Sequence, residues 1–181
     1  MKMAKDIPVH AIWLAQDDPK KNTAVKLSRR GDLILHEKLT RLPRHGIILE
    51  PLCGKVFGPE DHSLLLKENG SLVGLDCSWA HIKDSVKQVM VKTKLKGRML
   101  PLLLAANPVN WGKPGKMTTA EALAASLYLV GKNDQARKLL AAFSWGDNFW
   151  TLNKEPLEAY AAAKSSAELV ELQFEFFNIT R

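Results

Sequence analysis

The sequence predicts an α/β protein: an α/β domain over residues 1–106, a linker over 107–116 and a smaller all-helical domain over 117–181. Three observations carry this. Short apolar runs alternate with punctuated helical segments up to about residue 106. Beyond about residue 117 only helical patterns occur. Between the two lies "NPVNWGKPGK", whose Asn, Gly and Pro residues mark a connection.

The elements follow in order. "VHAIWLA" (9–15) reads as the first strand, and "QDDPKKNT" breaks it with Asp17, Asp18 and Pro19 in a turn. "TAVKLSRRG" is a short helix closed by Gly31. "DLILHE" and "GIILEPL" are further strands, the second ended by Pro51. In "GPEDHSLLLKENG", Pro59 suits a first helical turn, acids follow it, and Asn69-Gly70 stop the helix. "SLVGLD" (71–76) is almost continuously apolar, as a strand covered on both faces is. A helix from about Trp79 to Met90 comes next, then "RMLPLLLAANP", read as another buried strand. "TTAEALAASLYLVG" has Thr118 or Thr119 as cap and Gly131 as stop. "NDQARKLLAAFSWG" repeats the arrangement with Asn133 as cap and Gly146 as stop. "NKEPLEAYAAAKSSAELVELQFEFF" is helical over most of its length.

Composition narrows the class. The 181 residues are 46% hydrophobic and 25% charged, ordinary for a globular chain. No apolar run reaches the roughly 18 residues a membrane span needs. The opening "MKMAKDIPVHAIWLA" is interrupted by Asp6, Pro8 and His10, unlike a secretory leader. Cys53 and Cys77 are the only cysteines and form no disulfide framework or metal-ligand spacing. The expectation is a cytoplasmic protein without a membrane partner. Its net charge of +7 is uneven: residues 1–116 hold 20 Lys and Arg against 11 acids, residues 117–181 hold 6 against 8. A basic surplus confined to one part fits either a solubilising surface or a docked polyanion, nucleic acid first among them.

Asp76 closes an apolar strand just where a helix begins, in "GLDCSWA". At that position a carboxylate either caps the helix starting near Ser78 or faces a ligand at the carboxyl edge of the sheet. Trp79 is read either as core or as a platform for a ligand. "AANPVNWG" repeats the pattern, bringing Asn107, Asn110 and Gly112 to a second strand ending. "CGKVFGPED" lacks the spacing of a phosphate-binding loop, and no G-x-G-x-x-G follows a strand. The five histidines (10, 36, 45, 62, 81) have no i, i+4 partners, so no metal site is expected. Ser78 lacks the context of a hydrolase nucleophile. "KQVMVKTKLKGR" places Lys87, Lys92, Lys94, Lys96 and Arg98 beside the proposed site, as a solvated loop or as phosphate contacts.

Taken together, "DDPKKNTAVKL", "ILEPL", "LDCSWA", "RMLPLLLAANPVNWGKP", "TTAEALAASLYLVG" and "LLAAFSWGDNFWTLN" resemble the small-subunit ribosomal RNA aminocarboxypropyltransferases of archaea and eukaryotes, in family order over nearly the whole chain. The resemblance implies a SPOUT-like, knotted α/β N-terminal domain. It also implies transfer of the 3-amino-3-carboxypropyl group from S-adenosylmethionine to N3 of a uridine or (methyl)pseudouridine in small-subunit rRNA, releasing methylthioadenosine. The partner would be that rRNA or a pre-ribosomal particle, and the protein is expected to act as a monomer.

The resemblance also assigns roles. Asp76 faces the reacting end as the candidate general base, while Trp79 and Ala80 wall off the donor's methyl group. Thr23 touches the methionine end of the donor. Leu49 and Pro51 pack on adenine, Leu75 offers its carbonyl to the ribose, and Leu100 reads the adenine edge through its amide. Gly115, Met117, Thr119 and Ala122 complete the pocket, so the 107–116 linker lines it. Many members carry a bulky residue at the position of Gly115, Cys at that of Asn22 and Tyr at that of Trp111. The RNA surface is expected at Lys20, Lys21, Arg29, Arg30, Arg41, Arg44, Lys94, Lys96 and Arg98. Two other readings stay open: a SPOUT-class RNA methyltransferase, and a non-catalytic RNA-binding module of ribosome assembly.

Overall fold

The computed structural model describes residues 5–180, and its framework is one parallel β-sheet. The chain runs β1 (Val9–Trp13), α1 (Thr23–Arg29), β2 (Ile34–His36), β3 (Gly46–Leu49), α2 (His62–Leu66), β4 (Ser71–Asp76), α3 (Ile82–Lys92) and β5 (Lys96–Arg98). Five further helices follow: α4 (Thr119–Leu129), α5 (Asn133–Leu140), α6 (Gly146–Leu152), α7 (Lys154–Ala162) and α8 (Ser166–Phe176). Short 3-10 turns precede α2 and α3. The strand order is β2-β1-β4-β3-β5, every neighbour parallel.

The pleat explains which helices cover which face. Val9 and Ala11 of β1, Ile47 and Leu49 of β3, and Leu72 of β4 point to one side, where α1 and the C-terminal helices pack. Ile12, Ile48 and Val73 point to the other, against Val89 and Met90 of α3. Both faces are therefore covered, which is why β4 reads as an unbroken apolar run.

The helical C-terminal part has no core of its own. Leu123, Leu127, Leu139, Phe149, Leu157, Tyr160 and Leu169 belong to the same buried cluster as Val9, Ile47 and Leu72. This corrects the expected fold class. Neither a SPOUT-like knotted N-terminal domain nor its division from a smaller all-helical domain is supported; the elements form one α/β unit, a parallel sheet with helices sharing its core. The reason is that α4 lies directly on β4. A Cβ at Gly74 would come within 2.8 Å of Thr119 Cγ2, so glycine there lets the start of α4 close onto the strand.

The segment 98–108 is the second correction. The sheet takes only Lys96–Arg98; residues 99–107 are buried or half-buried and form no strand, touching other strand-like backbone through isolated bridges alone. One edge pairs with its own return: Ala105 N donates to Lys113 O (3.1 Å) and Gly115 N to Leu103 O (2.9 Å). The other edge is satisfied by side chains. Leu102 N donates to Gln173 Oε1 (2.7 Å), Leu104 N to Asn153 Oδ1 (2.7 Å) and Ala106 N to Glu121 Oε1 (2.6 Å). Asn153 Nδ2 and Tyr160 OH return bonds to the carbonyls of Leu104 and Leu102. Side chains of α4, α7, α8 and the α6–α7 junction thus stand in for a neighbouring strand.

Helix ends match the expected punctuation in part. Thr118 caps α4 in a reciprocal box with Glu121, and Gly131 follows it at φ 85°. Asn133 is the first residue of α5 rather than its cap. Gly146 opens α6 rather than stopping α5; a Cβ there would lie 2.0 Å from Leu140 O, so glycine permits the two helices to abut.

Candidate functional site

The sheet order creates a crevice between the carboxyl ends of β1 and β4. The chain leaving β1 feeds α1 on one face, and the chain leaving β4 feeds α3 on the other, so the connections part above the paired residues Trp13 and Asp76. Asp76 is 7% exposed at the floor of this opening. Asn22 Nδ2 donates to its Oδ2, and Thr119 Oγ1 donates to its Oδ1 at 2.7 Å. Burial raises its pKa above the usual carboxylate range, with these two bonds pulling the other way and nearby Asp17 adding to the rise. Each oxygen retains capacity for another hydrogen bond.

Of the two sequence readings of Asp76, capping is removed. Ser78 is the cap of the turn before α3, its hydroxyl accepting from Ala80 N (3.2 Å). Asp76 is left for the crevice.

A cavity of about 820 Å³ opens over the crevice. Asp76 and every residue expected to hold the donor line it: Thr23, Leu49, Pro51, Leu75, Trp79, Ala80, Leu100, Gly115, Met117, Thr119 and Ala122. Five separate stretches of chain supply them, at the carboxyl ends of β3 and β4, the segment leaving β5, the start of α1 and the return loop into α4. Trp79 stands at the mouth, 43% exposed, so it is a wall rather than core. Thr23 Oγ1 accepts from Ala120 N (3.2 Å), tying α1 to α4. Cys77 also lines the cavity, but burial pushes its thiol up to about 11, so it stays protonated at neutral pH.

Several contributors were not singled out from sequence. Asn22 orients Asp76 while its Oδ1 caps α1 by accepting from Val25 N (2.9 Å). Glu50, 2% exposed at the end of β3, lines the cavity beside Arg98, and burial raises its pKa. Glu121, fully buried, accepts from the amides of Ala106, Asn107 and Thr118 and from the side chains of Asn107 and Thr118. It holds the return loop shut against α4. Sequence marked it only as the acid beside the Thr cap of α4, a capping-box position that says nothing of its bonds to the return loop.

The nine residues expected to meet RNA do not share one face. Lys20 and Lys21 follow β1 at the crevice, and Lys21 lines the cavity. Arg44, Lys94 and Lys96 meet His45 and Lys67 around a second cleft of about 360 Å³, at the amino ends of β3, β4 and β5. This corrects the placement of the 92–98 run: its lysines lie at the sheet edge opposite Asp76. Arg98 is buried, its guanidinium 2.8 Å from Asp61 and bonded to the Gly97 carbonyl, so its charge is already met inside the protein. Arg30 pairs with Asp32 (3.0 Å), and Arg29 and Arg41 are exposed apart from both clefts. No helix among the described residues is long and apolar enough to cross a membrane.

Comparison with known proteins bears on this geometry. Residues 47–177 match the family model described as ribosome biogenesis protein, C-terminal. The 16S rRNA aminocarboxypropyltransferase of Methanosarcina acetivorans is 43% identical over 94% of this chain and 94% of its own length. That of Methanothermobacter thermautotrophicus is 44% identical over 88% of this chain and 92% of its own. The solved SAM-dependent rRNA:acp-transferase Tsr3 from Vulcanisaeta distributa superposes with a TM-score of 0.80 at 37% identity, covering 96% of this chain and 99% of the other. The likeness spans sheet and C-terminal helices together.

Proposed function

The chain belongs to the family of 16S rRNA aminocarboxypropyltransferases, and from that premise we propose that donor and acceptor meet in the cavity above the β1–β4 crevice. It is an S-adenosylmethionine-dependent transferase acting on small-subunit rRNA in ribosome biogenesis.

The residues present fit such a donor. The cavity volume lies within the range of about 300–1,000 Å³ usual for small-molecule sites. Its walls at Leu49, Pro51, Leu100 and Met117 are apolar, as a purine requires, and Trp79 offers an indole face to a positive charge. When bound, S-adenosylmethionine supplies a cationic sulfur bearing three electrophilic carbons; attack by a uracil N3 on the aminocarboxypropyl carbon breaks that carbon–sulfur bond, leaves neutral methylthioadenosine and releases the N3 proton.

The chain's own residues select that outcome. Trp79 and Ala80 enclose the methyl group, so the amino-acid arm alone faces the acceptor. Asp76, its carboxylate aimed by Asn22 and Thr119, accepts the N3 proton; its raised pKa brings it closer to the range a general base needs. Leu75 and Leu100 serve through backbone groups, and Thr23 holds the methionine end. Lys20 and Lys21 hold the RNA backbone at the cavity mouth, and Arg44, Lys94 and Lys96 hold it at the far edge. The acceptor is a uridine or pseudouridine in an unstacked loop, since a duplex would keep N3 paired. The protein acts as a cytoplasmic monomer.

The observation that carries the proposal is the buried, doubly oriented carboxylate of Asp76 sharing one cavity with the indole of Trp79, three residues on. Incubating the chain with unmodified small-subunit rRNA and donor labelled in the carboxyl carbon or the methyl carbon tests it. Carboxyl label is expected in the RNA, with mass analysis placing the added group on N3. Methyl label alone would make the chain a methyltransferase, and binding without either label would leave it a non-catalytic assembly module.

A further inference from the structure

Lys116 sits on the return loop just before α4, and its ammonium lies 4.4 Å from the centroid of the Trp79 ring. Both residues line the main cavity. Among the described residues the ammonium forms no ion pair with a carboxylate. Its backbone is pinned on both sides: Asn107 Nδ2 donates to Lys116 O (3.2 Å), Glu121 fixes Asn107 (2.9 Å), and Gly115 N donates to Leu103 O (2.9 Å). The lysine therefore reaches the indole from a rigid base rather than from a free loop.

We infer that Lys116 is a resident cation on the Trp79 face, displaced by the donor's sulfonium and restored when the sulfur becomes neutral. The inference rests on the donor site proposed above. An aromatic face attracts a cation through its quadrupole, and two like charges on one face repel each other more strongly than the ring holds either. A cationic ligand at Trp79 must therefore move the ammonium aside, whereas a neutral thioether makes no claim on the ring. Cleavage of the carbon–sulfur bond turns the first kind of ligand into the second. Lys116 thus weakens donor binding and sets the cavity to retain charged donor less tightly against spent methylthioadenosine.

Titration calorimetry on the full chain, with S-adenosylmethionine and methylthioadenosine measured separately, tests this. Lys116→Met should tighten S-adenosylmethionine by about 2- to 30-fold, the span of one cation–π contact, and change methylthioadenosine by less than about two-fold. Lys116→Arg should restore the wild-type ratio of the two affinities. Lys116 is exposed, so thermal unfolding should be unchanged in both variants. Donor affinity that is unchanged or weakened in Lys116→Met, or an equal change for both ligands, would overturn the inference while leaving the donor site standing. Wild-type protein that binds neither ligand would instead overturn the donor site, and this inference with it.

Discussion

Asn22 and Asp76 stand 54 positions apart in the chain, and the side-chain amide of the first donates to the carboxylate of the second. The same asparagine caps α1, so the helix cannot shift without moving the bond that aims Asp76. The orientation of the Asp76 carboxylate and the start of α1 are one feature here.

That coupling gives separable outcomes. Asp76→Asn should lower single-turnover transfer by about 10²–10⁴-fold, the usual worth of a positioned base, with donor affinity little changed. Asn22→Ser keeps a capping oxygen but loses the amide donated to Asp76. Losing a bond that favours the charged carboxylate raises its pKa further, so the acid limb of the pH–rate profile should move to higher pH. A profile that stays in place would remove Asp76 as the titrating group.

Glu121 offers a test of the single-unit fold. Glu121→Gln turns one acceptor oxygen into an NH₂ facing the donors it now receives, and should cost about 2–4 kcal/mol. Because the return loop and the C-terminal helices share the sheet's core, unfolding followed by tryptophan fluorescence and by circular dichroism should fall together in one transition at lower denaturant. Two separate transitions would contradict the shared core.

Charge reversal at Lys94 and Lys96, leaving Arg98 and its bond to Asp61 intact, should weaken RNA binding and flatten its dependence on salt. Filter binding across a range of salt concentrations reads the slope directly. Reversal at Lys20 and Lys21 should in addition lower the rate of transfer, since these lysines stand at the cavity edge.

His10 and His36 on adjacent strands stack at 5.2 Å and share a hydrogen bond of 2.9 Å between Nδ1 and Nε2. Burial, then the charge of His36, lowers the His10 pKa from 6.5 to about 4, and burial with Arg41 lowers that of His36. The unfolded chain therefore binds more protons than the folded one between about pH 6.5 and 4. Stability should fall as pH drops through that window, and His10→Gln should reduce the slope of melting temperature against pH.

Much of this was legible in the chain itself. The strands β1, β3 and β4 were readable because both faces of the sheet are covered there, so each appears as a short, mostly apolar run between turn residues. Asp76 and Trp79 stood out because a carboxylate and an indole ended such a run. Residues 99–107 were misread as a strand because apolar content reports burial and not the partner of the backbone. Pro101 lacks an amide, and the partners of Leu102, Leu104 and Ala106 are side chains 15 to 71 residues distant. The lysines at 94 and 96 were set beside Asp76 since proximity along a chain does not tell which end of a parallel strand is near.

Sequence alone determined the types of most elements, though not of residues 96–107, together with the basic surplus of the first 116 residues and the family of the chain, because these depend on local pattern and on motifs in order. Only the tertiary structure decided that the helical part shares the sheet's core, that Asn22 and Thr119 aim Asp76, and that Arg98 is spent on Asp61. Those facts arise from long-range packing, in which a buried polar group takes whichever partner the fold brings within hydrogen-bond reach.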